Sequence, residues 1–169
     1  MKESLVSSFE KIFGRKPEAL AQAPGRIEFI GNHTDYNGGL VMGVALDKDV
    51  MVAIAKRADR RLCFARAKFG DKVFVELDAL EKQPKELNWV NYPLGVFKFL
   101  VQAGLKADCG FDMLDCSNLP AGAGLSSSAA IELASAYAMS KLYGFEADRK
   151  TLVKIGRKCE NEFVGMPCG

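Results

Sequence analysis

One histidine, one tryptophan and no pair of cysteines at zinc-ligand spacing occur in the 169 residues. A lone histidine excludes a histidine-rich metal site. The five cysteines (Cys63, Cys109, Cys116, Cys159, Cys168) are odd in number and scattered, which excludes a zinc knuckle and argues against a disulfide framework. Free thiols suit a reducing compartment, so the cytoplasm is expected. An excess of one charge is also missing: 23 Lys and Arg face 21 Asp and Glu, giving +2 with the signs interspersed. That balance gives no footing for a nucleic-acid or membrane-surface partner. The opening MKESLVSSFEKIFGRKP is polar and mixed in charge, so neither a signal peptide nor a spanning helix is expected. There is no low-complexity tract and no repeat period. What remains, 49% hydrophobic and 26% charged residues, is the composition of a compact domain able to bury about two thirds of its unfolded surface.

Local patterns divide the chain. Leu5, Val6, Phe9, Ile12 and Phe13 recur at helical spacing and Gly14 follows, predicting a short amphipathic helix from Glu3 to Phe13. From Ala19 to Lys56 the texture is that of β-strands, ending in the apolar VMVAIAK. LCFARAKF and KVFVEL continue the strands around a turn at Gly70 and Asp71. Trp89, Tyr92, Val96, Phe99 and Leu100 mark a helix stopped by Gly104. A strand over Gly110 to Cys116, a small-residue helix from Ser126 or Ser127 to Tyr143, and a last helix from Asp148 to Val164 complete the reading. Strands early and helices late predict an α+β layer fold with an antiparallel or mixed sheet.

Three places carry chemistry. PAGAGLSSSAA (120–130) joins a predicted strand to an Ala-rich helix. Gly122 and Gly124 let backbone approach a ligand, and the helix start offers unpaired N–H groups with partial positive charge, an anion site by construction. The serines could cap the helix, bind phosphate oxygen or coordinate a hard cation. No Gly-Lys-Ser/Thr closes the segment and a third glycine is missing, so neither a Walker A loop nor a dinucleotide fingerprint is present. APGRIEFIGNHTDYNGG (23–39) gathers polar and ionisable side chains in one connector: Arg26 suits an anion, while Asn32, His33 and Asp35 mix donors and acceptors as sugar hydroxyls require. A solvated turn around Asn37-Gly38-Gly39 is the plainer alternative. In the last helix Leu152, Val153, Ile155, Cys159 and Phe163 define an apolar arc, and Glu160 falls inside it, about 80° from Leu152. A carboxylate there needs a partner, either a basic residue or a cation.

Taken together, GRIEFIGNHTDYNGG and PAGAGLSSSAA resemble the motifs of the GHMP small-molecule kinases, and within them the galactokinase family; NWVNYPLGV and CENEFVGMPCG are similar to it as well. The resemblance spans nearly the whole chain. It implies a GHMP N-terminal lobe like the second domain of ribosomal protein S5, a mixed sheet with helices on one face. It implies transfer of the ATP γ-phosphate to the anomeric 1-hydroxyl of galactose, with ATP and Mg²⁺ as cofactors. Pro120, Gly122, Ala123, Gly124, Leu125, Ser126, Ser127 and Ser128 would hold the phosphates, with Trp89 and Tyr92 nearer the base. Ser128 and Glu160 would ligate Mg²⁺. Arg26, Asn32, His33, Asp35 and Gly169 would meet the sugar, with Arg26 close to the reacting hydroxyl.

Two departures accompany the resemblance. Glu28 and Asn32 stand where the signature normally has Asn and an acidic residue. A neutral amide at 32 removes a strong acceptor, and also a repulsion, at the sugar's C6 end, making a C6-modified sugar such as galacturonate the competing substrate. In the family, MPCG is followed within three residues by an aspartate thought to act as base and then by a second lobe. The expectation is therefore a single N-terminal lobe over 1–169, cut from a longer kinase, inactive alone and prone to self-association. A catalytically silent sugar and ATP sensor shares the same binding motifs.

Overall fold

The run VMVAIA is apolar at every position because both of its faces are covered. Val50, Val52 and Ile54 enter the main core, while Met51, Ala53 and Ala55 enter a second, smaller one on the opposite face. The computed structural model of the chain describes residues 1–31, 33–34, 37–120 and 122–168. Among the described residues five strands, β1 (Ala19–Ile30), β2 (Met42–Lys56), β3 (Arg61–Arg66), β4 (Lys72–Glu76) and β5 (Phe111–Ser117), form one sheet in the order β1-β2-β5-β3-β4. Every pairing is antiparallel except β3 with β5, so the sheet is mixed, as expected.

Three helices cover the main-core face: α2 (Asn88–Gln102), α3 (Ser127–Tyr143) and α4 (Arg149–Lys158). The fourth, α1 (Lys2–Phe13), goes beyond the expectation of helices on one face. Its stripe of Leu5 and Phe9 is buried on the other side of the sheet, against Met51, Ala53, Ala55, Ala65 and Leu114. Two such side chains contribute about 1.5–3 kcal/mol each by burial. Arg15 then reaches across to Asp112 at 2.6 Å, a buried carboxylate that Arg57 also engages at 2.7 Å.

The predicted last helix has two parts. Asp148 caps α4 by accepting from the Thr151 N–H at 2.7 Å, and at Cys159–Val164 the winding relaxes to a π-helix. Leu152, Ile155, Cys159 and Phe163 are buried as the predicted arc requires, whereas Val153 is exposed. Beyond the sheet the β1–β2 arm projects with Ile27, Phe29, Ile30, Leu40, Val41, Met42 and Val44 all exposed. Among the described residues no helix is long and apolar enough to cross a membrane.

Candidate active site

The loop before α3 rests on β1. Gly25 lies at a register shift of the β1–β2 ladder, and a Cβ there would stand 2.4 Å from Leu119 Cδ2 and 2.8 Å from the Leu125 carbonyl oxygen. Glycine is what allows this approach, and the Arg26 N–H then donates to the Leu125 carbonyl at 3.1 Å. On the other side of the loop, Asn118 accepts from the Asp49 N–H at 2.7 Å. With the loop pinned at both ends, Gly122 and Gly124 take left-handed conformations, and Ser126, φ 58°, does the same immediately before the helix. Ser126 makes no side-chain cap. The capping alternative for this serine therefore falls, and the first turn of α3 keeps its N–H groups directed at the space ahead of it.

That space is a cleft of about 350 Å³ lined by Pro24, Arg26, Ser126, Ser128, Glu160 and Cys168 together with apolar residues of α3. The structure thus brings Arg26, Ser126, Ser128 and Glu160, from three distant sequence segments, to one wall-to-wall opening. Arg26 is half exposed and holds Glu28 at 3.0 Å; Glu28, the unexpected acid, has its second oxygen buried without a partner. Residues two apart on one strand share a face, the signal that links this pair.

Glu160 meets another carboxyl instead of a base. Glu132 lies one helical turn beyond Ser128, is 1% exposed, and leaves Oε1 without a hydrogen-bond partner. Burial first, and the Glu160 charge second, push Glu132 up to about 8. Burial and the same two carboxylates also raise the Cys159 thiol. Among the described residues no ion pair joins Glu160 to a basic side chain. The salt-bridge alternative falls with that. The Ser128 hydroxyl and the Glu160 carboxylate, which line the cleft at the start of α3, are hard-oxygen donors of the kind that fits Mg²⁺. Sequence reasoning missed Glu132, although its place four residues after Ser128 on a helix with no other acid was a usable signal.

A second cavity, about 230 Å³, opens on the far side of Ser128, between Trp89 and Tyr92 of α2, Arg66, Asp115 and Ser117 of the sheet, and Ser127 and Ile131 of α3. Trp89 and Tyr92 are partly buried and line this opening, so they are not simply core. The Arg66 guanidinium lies 4.4 Å from the centre of the Trp89 ring. Burial pushes the Asp115 carboxyl up to about 7, against the pull of Arg66.

Other predicted residues sit apart. His33 is exposed in the turn after β1, where Asn37 Nδ2 donates to its carbonyl at 2.9 Å, and it is not among the described residues lining the cleft. Pro120, Gly122, Ala123, Gly124 and Leu125 form the loop but do not line either cavity. Asn32, Asp35 and Gly169 lie outside the described residues. The approach to Gly169 is held by Asn161, whose Oδ1 accepts from the Cys168 N–H at 2.7 Å.

Known proteins resemble this chain in sequence and in fold. The galactokinase galactose-binding signature matches residues 7–56, and the GHMP kinases N terminal domain matches 91–169. The chain is 40% identical over 171 residues to galactokinase of Staphylococcus carnosus, covering all of this chain and 44% of that protein. It is 43% identical to galactokinase of Streptococcus thermophilus, over 98% of this chain and 43% of that one. Lactococcus lactis galactokinase, solved with galactose, superposes with a TM-score of 0.89 at 34% identity over 99% of this chain and 44% of its own. Methanococcus jannaschii mevalonate kinase, at 22% identity and TM-score 0.74, shares the fold. The chain spans under half the length of these galactokinases. Signature, lobe and site geometry converge: the chain belongs to the galactokinase family of GHMP kinases and carries that superfamily's N-terminal domain.

Proposed function

We propose that this chain supplies the phosphate-binding half of a cytoplasmic sugar kinase that moves the γ-phosphoryl group of ATP to the anomeric 1-hydroxyl of galactose. The observation that carries the reading is the uncapped start of α3, open to the cleft where Arg26, Ser128 and Glu160 converge. The triphosphate lies across that helix end, with its base in the Trp89–Tyr92 cavity and the sugar on the Arg26 side. Free N–H groups and the helix dipole hold phosphate oxygens without reorganising. Arg26 brings a guanidinium to the charge spread over the transferring group, and the Glu28 contact limits its side-chain freedom. Ser128 and Glu160 would hold Mg²⁺, which when bound neutralises phosphate charge.

In the transfer, the sugar oxygen bonds to the γ-phosphorus as the bond to the ADP oxygen breaks, and the hydroxyl proton passes to a base. Alignment and positive charge are most of what the reaction asks of protein, and this lobe offers both. The 169 residues act as one lobe, and turnover is assigned to the longer protein whose relatives are more than twice this length. Arg26→Ala tests the reading in calorimetric titrations: binding of MgATP should weaken about tenfold or more, and binding of AMP should change little. Equal loss for both nucleotides would remove Arg26 from the γ-phosphate, and robust galactose-dependent ADP release by the 169 residues alone would overturn the division between lobes.

A further inference from the structure

The second cavity contains a carboxyl with no role so far. Asp115 belongs to the face of β5 that carries Phe111 and Met113 into the main core, so it is turned toward the helices. In the sheet it lies beside Val52 of β2 and Arg66 of β3. Arg66 is the positive charge that acts on it, but Arg66 is already engaged. Its Nη2 pairs with Asp71 at 2.5 Å, and its guanidinium lies over the rings of Phe69 and Trp89 at 4.3 and 4.4 Å. Among the described residues no ion pair takes up the Asp115 carboxyl. Ser117, the next residue on that face, turns its hydroxyl to the Asp49 carbonyl at 3.2 Å.

The result is an opening flanked by Trp89 and Tyr92, floored by Val50 and Ile131, and walled by one uncommitted acceptor. Aromatic flanks suit a flat ring. Once ionised, a carboxylate beside them suits a ring that carries an amino group, and it disfavours one that presents a carbonyl oxygen at the same place. Adenine and hypoxanthine differ in this way at C6. We infer that Asp115 selects the base of the bound nucleotide by accepting a hydrogen bond from the exocyclic amino group of adenine. The inference rests on the nucleotide reading given above, because it requires the base to enter this cavity.

Trp89 is the sole tryptophan of the chain and lines the cavity, so its emission reports binding directly. MgATP and MgITP are titrated against the wild-type chain, Asp115→Asn and Asp115→Leu at a pH well above 7, where the Asp115 carboxyl is ionised. The wild type should bind ATP about tenfold or more tightly than ITP. Asp115→Leu should weaken ATP by about tenfold while leaving ITP nearly unchanged. An asparagine amide both accepts and donates, so Asp115→Asn should tighten ITP and close the gap to within about threefold. Asp115→Asn, close to isosteric, keeps the test open if the leucine variant does not fold. An ATP-to-ITP ratio equal in all three proteins, with ATP still quenching Trp89, would overturn the role of Asp115 and leave the nucleotide site standing. A folded wild type whose emission answers to neither nucleotide, and which retains none in equilibrium dialysis, would overturn the nucleotide reading and this inference with it.

Discussion

Glu132→Gln isolates the buried carboxyl pair. Glu132 is 1% exposed and is held at about 8 instead of an ordinary 4.5, by burial and then by Glu160. The sign follows from proton binding: between 4.5 and 8 the folded chain keeps a proton that the unfolded chain has released. Stability from this group is therefore full below about pH 4.5, falls as pH rises, and levels off above about 8. At about 1.4 kcal/mol per pKa unit, the loss between pH 5 and pH 9 comes to about 3–4 kcal/mol. Glutamine keeps the shape and cannot titrate, so the variant should be close to the wild type at pH 5 and more stable by that amount at pH 9. Urea unfolding followed by Trp89 emission, with EDTA present, reads this as a midpoint gap that opens by about 1.5–2 M for a slope near 2 kcal/mol/M. Groups elsewhere that titrate in the same window cancel between the two proteins. Parallel loss of stability by both from pH 5 to pH 9 would show that the carboxyl is ionised in the folded chain, and the electrostatic account of the pair would be wrong.

Glu160→Gln should weaken Mn²⁺ binding, followed by electron paramagnetic resonance, by about tenfold or more in the presence of ATP, and an unchanged affinity would remove Glu160 from the cation site. Gly25→Ala places a methyl group 2.8 Å from the Leu125 carbonyl, which can retreat only by moving the loop. A loss of about 1–3 kcal/mol in chemical denaturation, together with weaker MgATP binding, is expected. A variant of wild-type stability would show that the loop is not seated on β1. The exposed arm, with Phe29 at 76% and Leu40 at 95%, should drive concentration-dependent association in sedimentation velocity, relieved in Phe29→Ser/Leu40→Ser. A wild-type chain that sediments as a monomer at high concentration would contradict this.

Much of the frame can be read from spacing alone. The stripe at Leu5 and Phe9, the unbroken apolar run 50–55 and the glycines at 14 and 104 concern neighbours within a few residues, where backbone geometry leaves few choices. The phosphate site proposed at 120–128 is equally local, since it depends on glycines and a helix start. Spacing could not place α1 on the opposite face, because an amphipathic stripe states that a face is buried without stating against what. The π-helical winding at Cys159–Val164 escaped for a related reason: a wheel of constant pitch cannot register a change of pitch.

The site divides in the same way. Sequence by itself determined which residue types were available: a glycine-serine turn, an arginine beside a glycine, and an acid on an apolar arc. Only the tertiary structure decided that Glu132 faces Glu160, that Arg26 and Glu160 share a cleft, and that Ser128 lines two cavities. The carboxyl pair and the shared serine join segments tens of residues apart, and they depend on strand register and helix placement, which are fixed by packing of the whole core and not by any local preference.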